Sequence, residues 1–144
     1  IEKPDKLSAA ALPIGLAGNA VGAVLTGLGA ALVKPSLVET AKKICDAKLE
    51  GGMIKGLVAA VFCGILMYAA VKTYGAKGTL VGIIFCIPTF ILCGFEHCVA
   101  NMFYFSLGGV WSAKAFGYLI IMTLGNGVGG VIFPLIRMWK EKKA

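Results

Sequence analysis

The sequence predicts an all-α membrane protein, and three observations carry that prediction. Hydrophobic residues make up 58% of the 144 and charged residues 15%, with a mean hydropathy of +0.86, against about 25% charged in ordinary soluble domains. The charges are segregated, so that long uncharged runs alternate with short lysine clusters. Glycine is abundant, at 20 residues, and small residues let helices approach closely in lipid. The same composition excludes a disordered tail and a nucleic-acid-binding module. The net charge of +7 reads instead as a mark of membrane sidedness.

The elements follow from the uncharged runs, given that a crossing helix needs about 20 apolar residues. Ser8–Val33 has 26 residues without a charge and predicts a first crossing over 10–33. The next segment, Lys34–Lys55, sets five lysines against Glu39, Asp46 and Glu50. It reads either as a plain solvated loop or as a short helix outside the membrane that makes a mildly positive vestibule. Gly56–Val71 has 16 uncharged residues, extended by Lys55 and Lys72, whose stems can snorkel to the interface. That predicts a second crossing over 54–72.

Gly78–Phe95 and Cys98–Ala113 are separated only by Glu96 and His97. As one helix, these 36 residues would span about 54 Å, too long for a single pass through a core of about 30 Å. No polar turn divides them into two passes. The sequence therefore predicts one crossing over 78–112, broken near 96–101, and such irregular backbone is tolerated at that depth only when buried in protein or lining a cavity. Ala115–Ile136, with 22 uncharged residues, predicts the last crossing, over 115–138. The whole chain, 1–144, reads as a single transmembrane domain.

With four crossings, the N-terminus, the Lys72–Lys77 turn and the C-terminus share one side. That side holds 8 basic residues (Lys3, Lys6, Lys72, Lys77, Arg137, Lys140, Lys142 and Lys143) against 6 on the other. The bias places the C-terminus in the cytoplasm, with Trp139 at the interface. Ile1–Ser8 lacks the pattern of a signal peptide, and the missing initial Met suggests a processed or partial chain. Five cysteines, an odd number without C-x-x-C spacing, argue against a disulfide framework or a metal site. They read as free thiols packed like small apolar residues.

Gly18-Asn19-Ala20-Val21-Gly22-Ala23-Val24 resembles Gly125-Asn126-Gly127-Val128-Gly129-Gly130-Val131. Either two glycine-rich helices are alike by chance, or each ends a repeat. If they are repeats, the second unit has three crossings with the broken one in the middle. The first unit then lacks two crossings upstream, and this chain holds four of six helices. Units of three crossings lie in opposite orientations, the inverted-repeat plan whose sites form where broken helices meet.

His97 is the sole histidine, and Glu96 is the sole acid between Glu50 and Glu141. An ionisable residue inside a membrane is a functional candidate by default. Glu96 suits a structural role, accepting hydrogen bonds from N–H groups freed by the helix break. His97 suits a pore, where it can donate an N–H and exchange protons near neutral pH. Three plainer readings stay open: a packing histidine, part of a metal site lacking its other ligands, or a solvated pair at the interface.

Gly94-Phe95-Glu96-His97-Cys98-Val99-Ala100-Asn101-Met102 resembles the G-F-E-H-S-[VI]-A-N-M signature of the formate/nitrite transporter family. The C-terminal two-thirds of the chain carries the resemblance, and order and spacing extend it to essentially the whole chain, as the last four of six family helices. The resemblance implies an aquaporin-like inverted-repeat bundle assembled as a homopentamer in the cell membrane. It implies passage of small monovalent anions or their neutral acids, of the formate, nitrite, hydrosulfide or lactate type, together with protons. It implies no cofactor, no metal and no enzymatic activity. By the same resemblance His97 is the central pore histidine that hydrogen-bonds or protonates the substrate, and Asn101 closes the motif. Glu96 is the buried acid supporting the break, Phe90 an aromatic of a constriction, and Lys48 a vestibule lysine. Asn19 and Asn126 are the asparagines of the repeat-ending helices. Two positions depart from the family pattern: Cys98 stands where serine is common, and Gly64 where many members have asparagine.

An anion pathway has a consistent physical logic. Isolated charge in a low dielectric costs several kcal/mol or more, so a bare anion does not cross a greasy constriction cheaply. Lys48 would concentrate anions, and His97 between two dry gates would donate a hydrogen bond or a proton. The alternative is an aquaporin-like or urea-like channel for neutral solutes. It shares the broken helix and the glycine-rich crossings, but the paired Asn-Pro-Ala motifs of aquaporins are absent.

Overall fold

The computed structural model describes the backbone of residues 6–143 and the side chains of 11–143. Lys3 and the side chain of Lys6, counted above in the charge bias, lie outside these. Six helices and no strand occur among the described residues: α1 (Lys6–Val33), α2 (Ser36–Glu50), α3 (Met53–Lys77), α4 (Val81–Leu92), α5 (Cys98–Leu107) and α6 (Ala113–Glu141). Of these, α1 from Ala11, α3 and α6 are long and apolar enough to cross a membrane.

The helices outrun the uncharged runs because a charge does not end a helix. Lys72 lies inside α3, which continues to Lys77. It stops at Gly78, whose left-handed φ of 62° lets its N–H return to the Tyr74 carbonyl at 2.7 Å, the usual helix stop for a residue without a Cβ. Pro35 stands immediately before α2, where a missing N–H costs no helical bond. Threonines inside the apolar helices turn their hydroxyls back on the carbonyl four residues earlier, as Thr73 does to Ala69 at 2.8 Å and Thr123 to Leu119 at 2.8 Å. These threonine hydroxyls are then not left as open donors in apolar surroundings.

The chain divides into two compact units: one holds the chain through Glu50 with Val99–Phe116, the other Gly51–Cys98 with the chain from Gly117. In the first, α1 packs on α2, and Ala41 and Cys45, one turn apart on α2, are buried. Gly27 brings α1 onto α5, where a Cβ would lie 2.7 Å from the Phe103 carbonyl oxygen. The Trp111 indole donates to Ser106 Oγ at 3.1 Å, and its ring meets Phe105 edge-on.

In the second unit α3 is the central helix. It runs antiparallel to α4, with Gly82 against Thr73 near the turn and Phe95 against Phe62 at the far end. It runs parallel to α6, with Gly56 against Tyr118, Ala60 against Gly125, and Val61 and Ile65 against Gly129. The buried residues of α3 (Gly56, Ala60, Cys63, Gly64 and Ala70) are all small, as tight helix contacts in lipid require. Many large apolar side chains point away from this packing: Phe85, Leu92, Leu124 and Leu135 are exposed. This distribution suits a hydrocarbon surrounding, since a soluble protein rarely leaves so much contiguous apolar surface open.

None of the five cysteines forms a disulfide, and Cys45, Cys63 and Cys98 are buried. Cys93 is exposed, unlike the packed thiols expected, because it sits at the end of α4 where the chain leaves the helix.

Candidate functional site

The helix break falls at 93–97, slightly before the expected window of 96–101. Its cause is Gly94, at φ 67°. The Gly94 N–H donates to the Ile91 carbonyl at 3.1 Å and the Phe95 N–H to the Phe90 carbonyl at 2.9 Å. This paired closure satisfies the last carbonyls of α4 and turns the chain out of it. α5 then starts at Cys98, so Asn101 lies within its first turns rather than in the break. At about 1.5 Å per residue, the 12 residues of α4 and the 10 of α5 give about 18 and 15 Å, each too short for a core of about 30 Å.

A new helix start leaves N–H groups without helical partners, and the preceding loop leaves carbonyls in the same condition. One side chain serves both. Asn126 Oδ1 accepts from the Cys98 N–H at 2.9 Å, and its Nδ2 donates to the Glu96 carbonyl at 2.7 Å and the Ala60 carbonyl at 2.9 Å. The amide thereby joins the loop, the head of α5 and the side of α3.

Glycines permit that reach. A Cβ on Gly64 would overlap the Asn126 carbonyl oxygen, and one on Gly129 would overlap the Val61 carbonyl oxygen. A Cβ on Gly125 would stand 2.7 Å from the Ala60 Cβ. α3 and α6 therefore touch backbone to backbone at the level of Asn126. Position 64, where an asparagine is the commoner residue by resemblance, faces this crossing, and glycine fits it because α6 leaves no room for a side chain.

Three successive loop residues are each held by a different helix. Phe95 stacks on Phe62 of α3 with ring centroids 5.5 Å apart. Glu96 is buried; α6 holds its backbone through Asn126 and its carboxylate through a hydrogen bond from the Tyr118 hydroxyl. His97, half-buried, stacks on Phe90 of α4 at 5.5 Å with the ring planes 20° apart. The imidazole plane is thus fixed by an apolar ring, and the ring nitrogens project from its edge, where an imidazole donates or accepts a proton.

Four of the residues singled out from sequence therefore come together in one unit: Phe90, Glu96, His97 and Asn126. The other three belong to the other unit. Asn101 is buried in α5, Lys48 is half-buried in the last turn of α2, and Asn19 is exposed on α1. Sequence reasoning missed Tyr118, Phe62 and the crossing role of Gly64. One signal for Tyr118 was present: it lies eight residues before Asn126 in an apolar run, which puts both on one helix face.

The family model for the formate/nitrite transporter matches residues 8–140, a wider span than the C-terminal two-thirds that carries the sequence resemblance. A probable formate transporter of Methanothermobacter thermautotrophicus is 44% identical over 80 residues, covering 52% of this chain and 29% of that protein. The uncharacterized transporter YrhG of Bacillus subtilis is 34% identical over 125 residues, covering 81% of this chain and 44% of that protein. The nitrite transporter NirC of Salmonella typhimurium is 29% identical over 145 residues, covering 90% of this chain and 54% of that protein. The chain thus spans about half the length, or less, of these curated relatives. Their names are those of transporters, not enzymes. No solved structure matches the chain significantly.

Proposed function

The chain belongs to the formate/nitrite transporter family, and on that basis we propose that the complete protein is a transmembrane channel for small monovalent weak-acid anions, with His97 at the centre of its pore. The observation that carries the reading is the loop at 93–97: a break between two helices too short to cross alone, with His97 set against Phe90 and the loop tied down by Asn126. A loop so heavily anchored offers a fixed proton donor and acceptor beside an apolar ring. Phe90 serves as part of the dry constriction, and His97 hydrogen-bonds or protonates the anion so that the neutral acid passes. Lys48 raises the local anion concentration at the entrance, and Asn101 lines the path beyond the break.

In this reading α1, α3, α4 with α5, and α6 make four crossings. The G-N-x-V-G helices end two inverted, aquaporin-like repeats, and in the complete protein Asn19 serves a second broken helix as Asn126 serves this one. The protein sits in the cell membrane as a homopentamer with a cytoplasmic C-terminus. Relatives named for formate and for nitrite support a small-acid substrate without choosing between them. The test is flux into proteoliposomes carrying the complete protein, with formate, nitrite, hydrosulfide, lactate and urea offered in turn. Flux of one or more of the acids is expected. Flux of urea alone would replace this reading with a neutral-solute channel.

A further inference from the structure

Glu96 precedes the histidine and is gripped twice from the same helix. Asn126 takes its carbonyl at 2.7 Å, and Tyr118, two turns earlier on α6, donates its hydroxyl to the carboxylate. Tyr118 is only 2% exposed, and a buried phenol hydroxyl needs a partner. It reaches the loop across Gly56 of α3, where a Cβ would lie 2.6 Å from the phenol oxygen. The ring needs that gap in α3, so its placement is built into the α3–α6 crossing.

We infer that Tyr118 is a positioning residue for His97, the second of two points at which α6 fixes the loop. The inference rests on the proposed pore role of His97. Asn126 holds only main-chain groups on either side of His97, the Glu96 carbonyl and the Cys98 N–H. The tie on the Glu96 side chain adds a hold at the residue next to the histidine and helps set the direction in which His97 leaves the loop. In this role Tyr118 acts through Glu96 and not on the permeating acid.

Tyr118→Phe in the complete protein removes one oxygen and keeps the packed ring. Tyr68→Phe is the control, since Tyr68 stacks on Phe133 and serves no part of the loop. Backbone hydrogen exchange by mass spectrometry and acid flux are read on both. For Tyr118→Phe, faster exchange is expected in the peptide covering 93–98 and not along α3 and α6, with a flux reduction of roughly fivefold, the worth of one lost hydrogen bond. Tyr68→Phe should change neither. Unchanged exchange at 93–98, or faster exchange spread along both helices, would overturn the inference. So would local loosening with undiminished flux. If the unaltered protein moves none of the acids, the transport reading fails with it, and the exchange result still decides whether Tyr118 holds the loop.

Discussion

The pattern G-N-x-V-G occurs once in α1 and once in α6, and the two copies have opposite surroundings. In α6, Gly125 and Gly129 press into α3, and Asn126 makes two hydrogen bonds to main-chain groups at the helix break and a third to the Ala60 carbonyl of α3. In α1, Gly18 and Gly22 have nothing within 4 Å of where a Cβ would stand, and Asn19 is exposed. α1 makes its own close approach elsewhere, at Gly27 on α5. The difference teaches that the motif is a socket rather than a site. Its glycines admit a neighbouring backbone and its amide satisfies whatever polar groups that backbone leaves open. In α6 the socket receives a broken helix, and a break exposes carbonyls and N–H groups together.

The largest expected effect comes from filling the occupied socket. Gly129→Val must displace the Val61 carbonyl and separate α3 from α6, so loss of the folded species in size-exclusion chromatography is expected. Gly127→Ala, on the open side of the same helix, should change stability by no more than about 0.5 kcal/mol. Equal tolerance at the two positions would break the account of the crossing.

The next effect tests the amide itself. Asn126→Ala leaves the Cys98 N–H and the Glu96 carbonyl at the break short of a partner and should cost about 3 kcal/mol, at roughly 1–3 kcal/mol per unsatisfied buried group. Thermal unfolding of the complete protein in detergent would measure it. If the two helices are equivalent ends of a repeat, Asn19→Ala in the complete protein should cost a comparable amount. A harmless Asn19→Ala would reduce the second copy to a likeness of sequence.

The smallest effect concerns the aromatic ties. Phe62→Leu keeps an apolar side chain but loses the stack on Phe95, with an expected loss of about 1 kcal/mol. Hydrogen exchange should quicken at 93–98. A matching loss from exposed Phe85, which has no such role, would show that ring stacking is not what holds the loop.

The fold class was legible because it depends on charge spacing and length alone. The break was legible because 36 apolar residues interrupted by Glu96 and His97 cannot cross once as a straight helix. Its placement was less so: Gly94, which ends α4 at a positive φ, looks in sequence like Gly82, which lies inside the helix. Asn126 was legible as a polar group inside an apolar helix, but the carbonyls and N–H that it serves lie 28 to 66 residues away in the chain. Nothing local announces such partners. Gly64 was read as a missing amide, whereas its part in the crossing depends on α6 being pressed against it.

The central claim is that the anchored loop exists to present His97 to a permeating acid. The most direct measurement is formate and nitrite flux through the complete protein and its His97→Asn variant, at about pH 5 and about pH 7.5, on either side of the ordinary imidazole pKa. The account predicts flux that rises at the lower pH in the unaltered protein and loses that rise in the variant, with the fold intact. Flux that keeps the same pH dependence after His97→Asn would contradict it and leave the histidine a packing residue against Phe90.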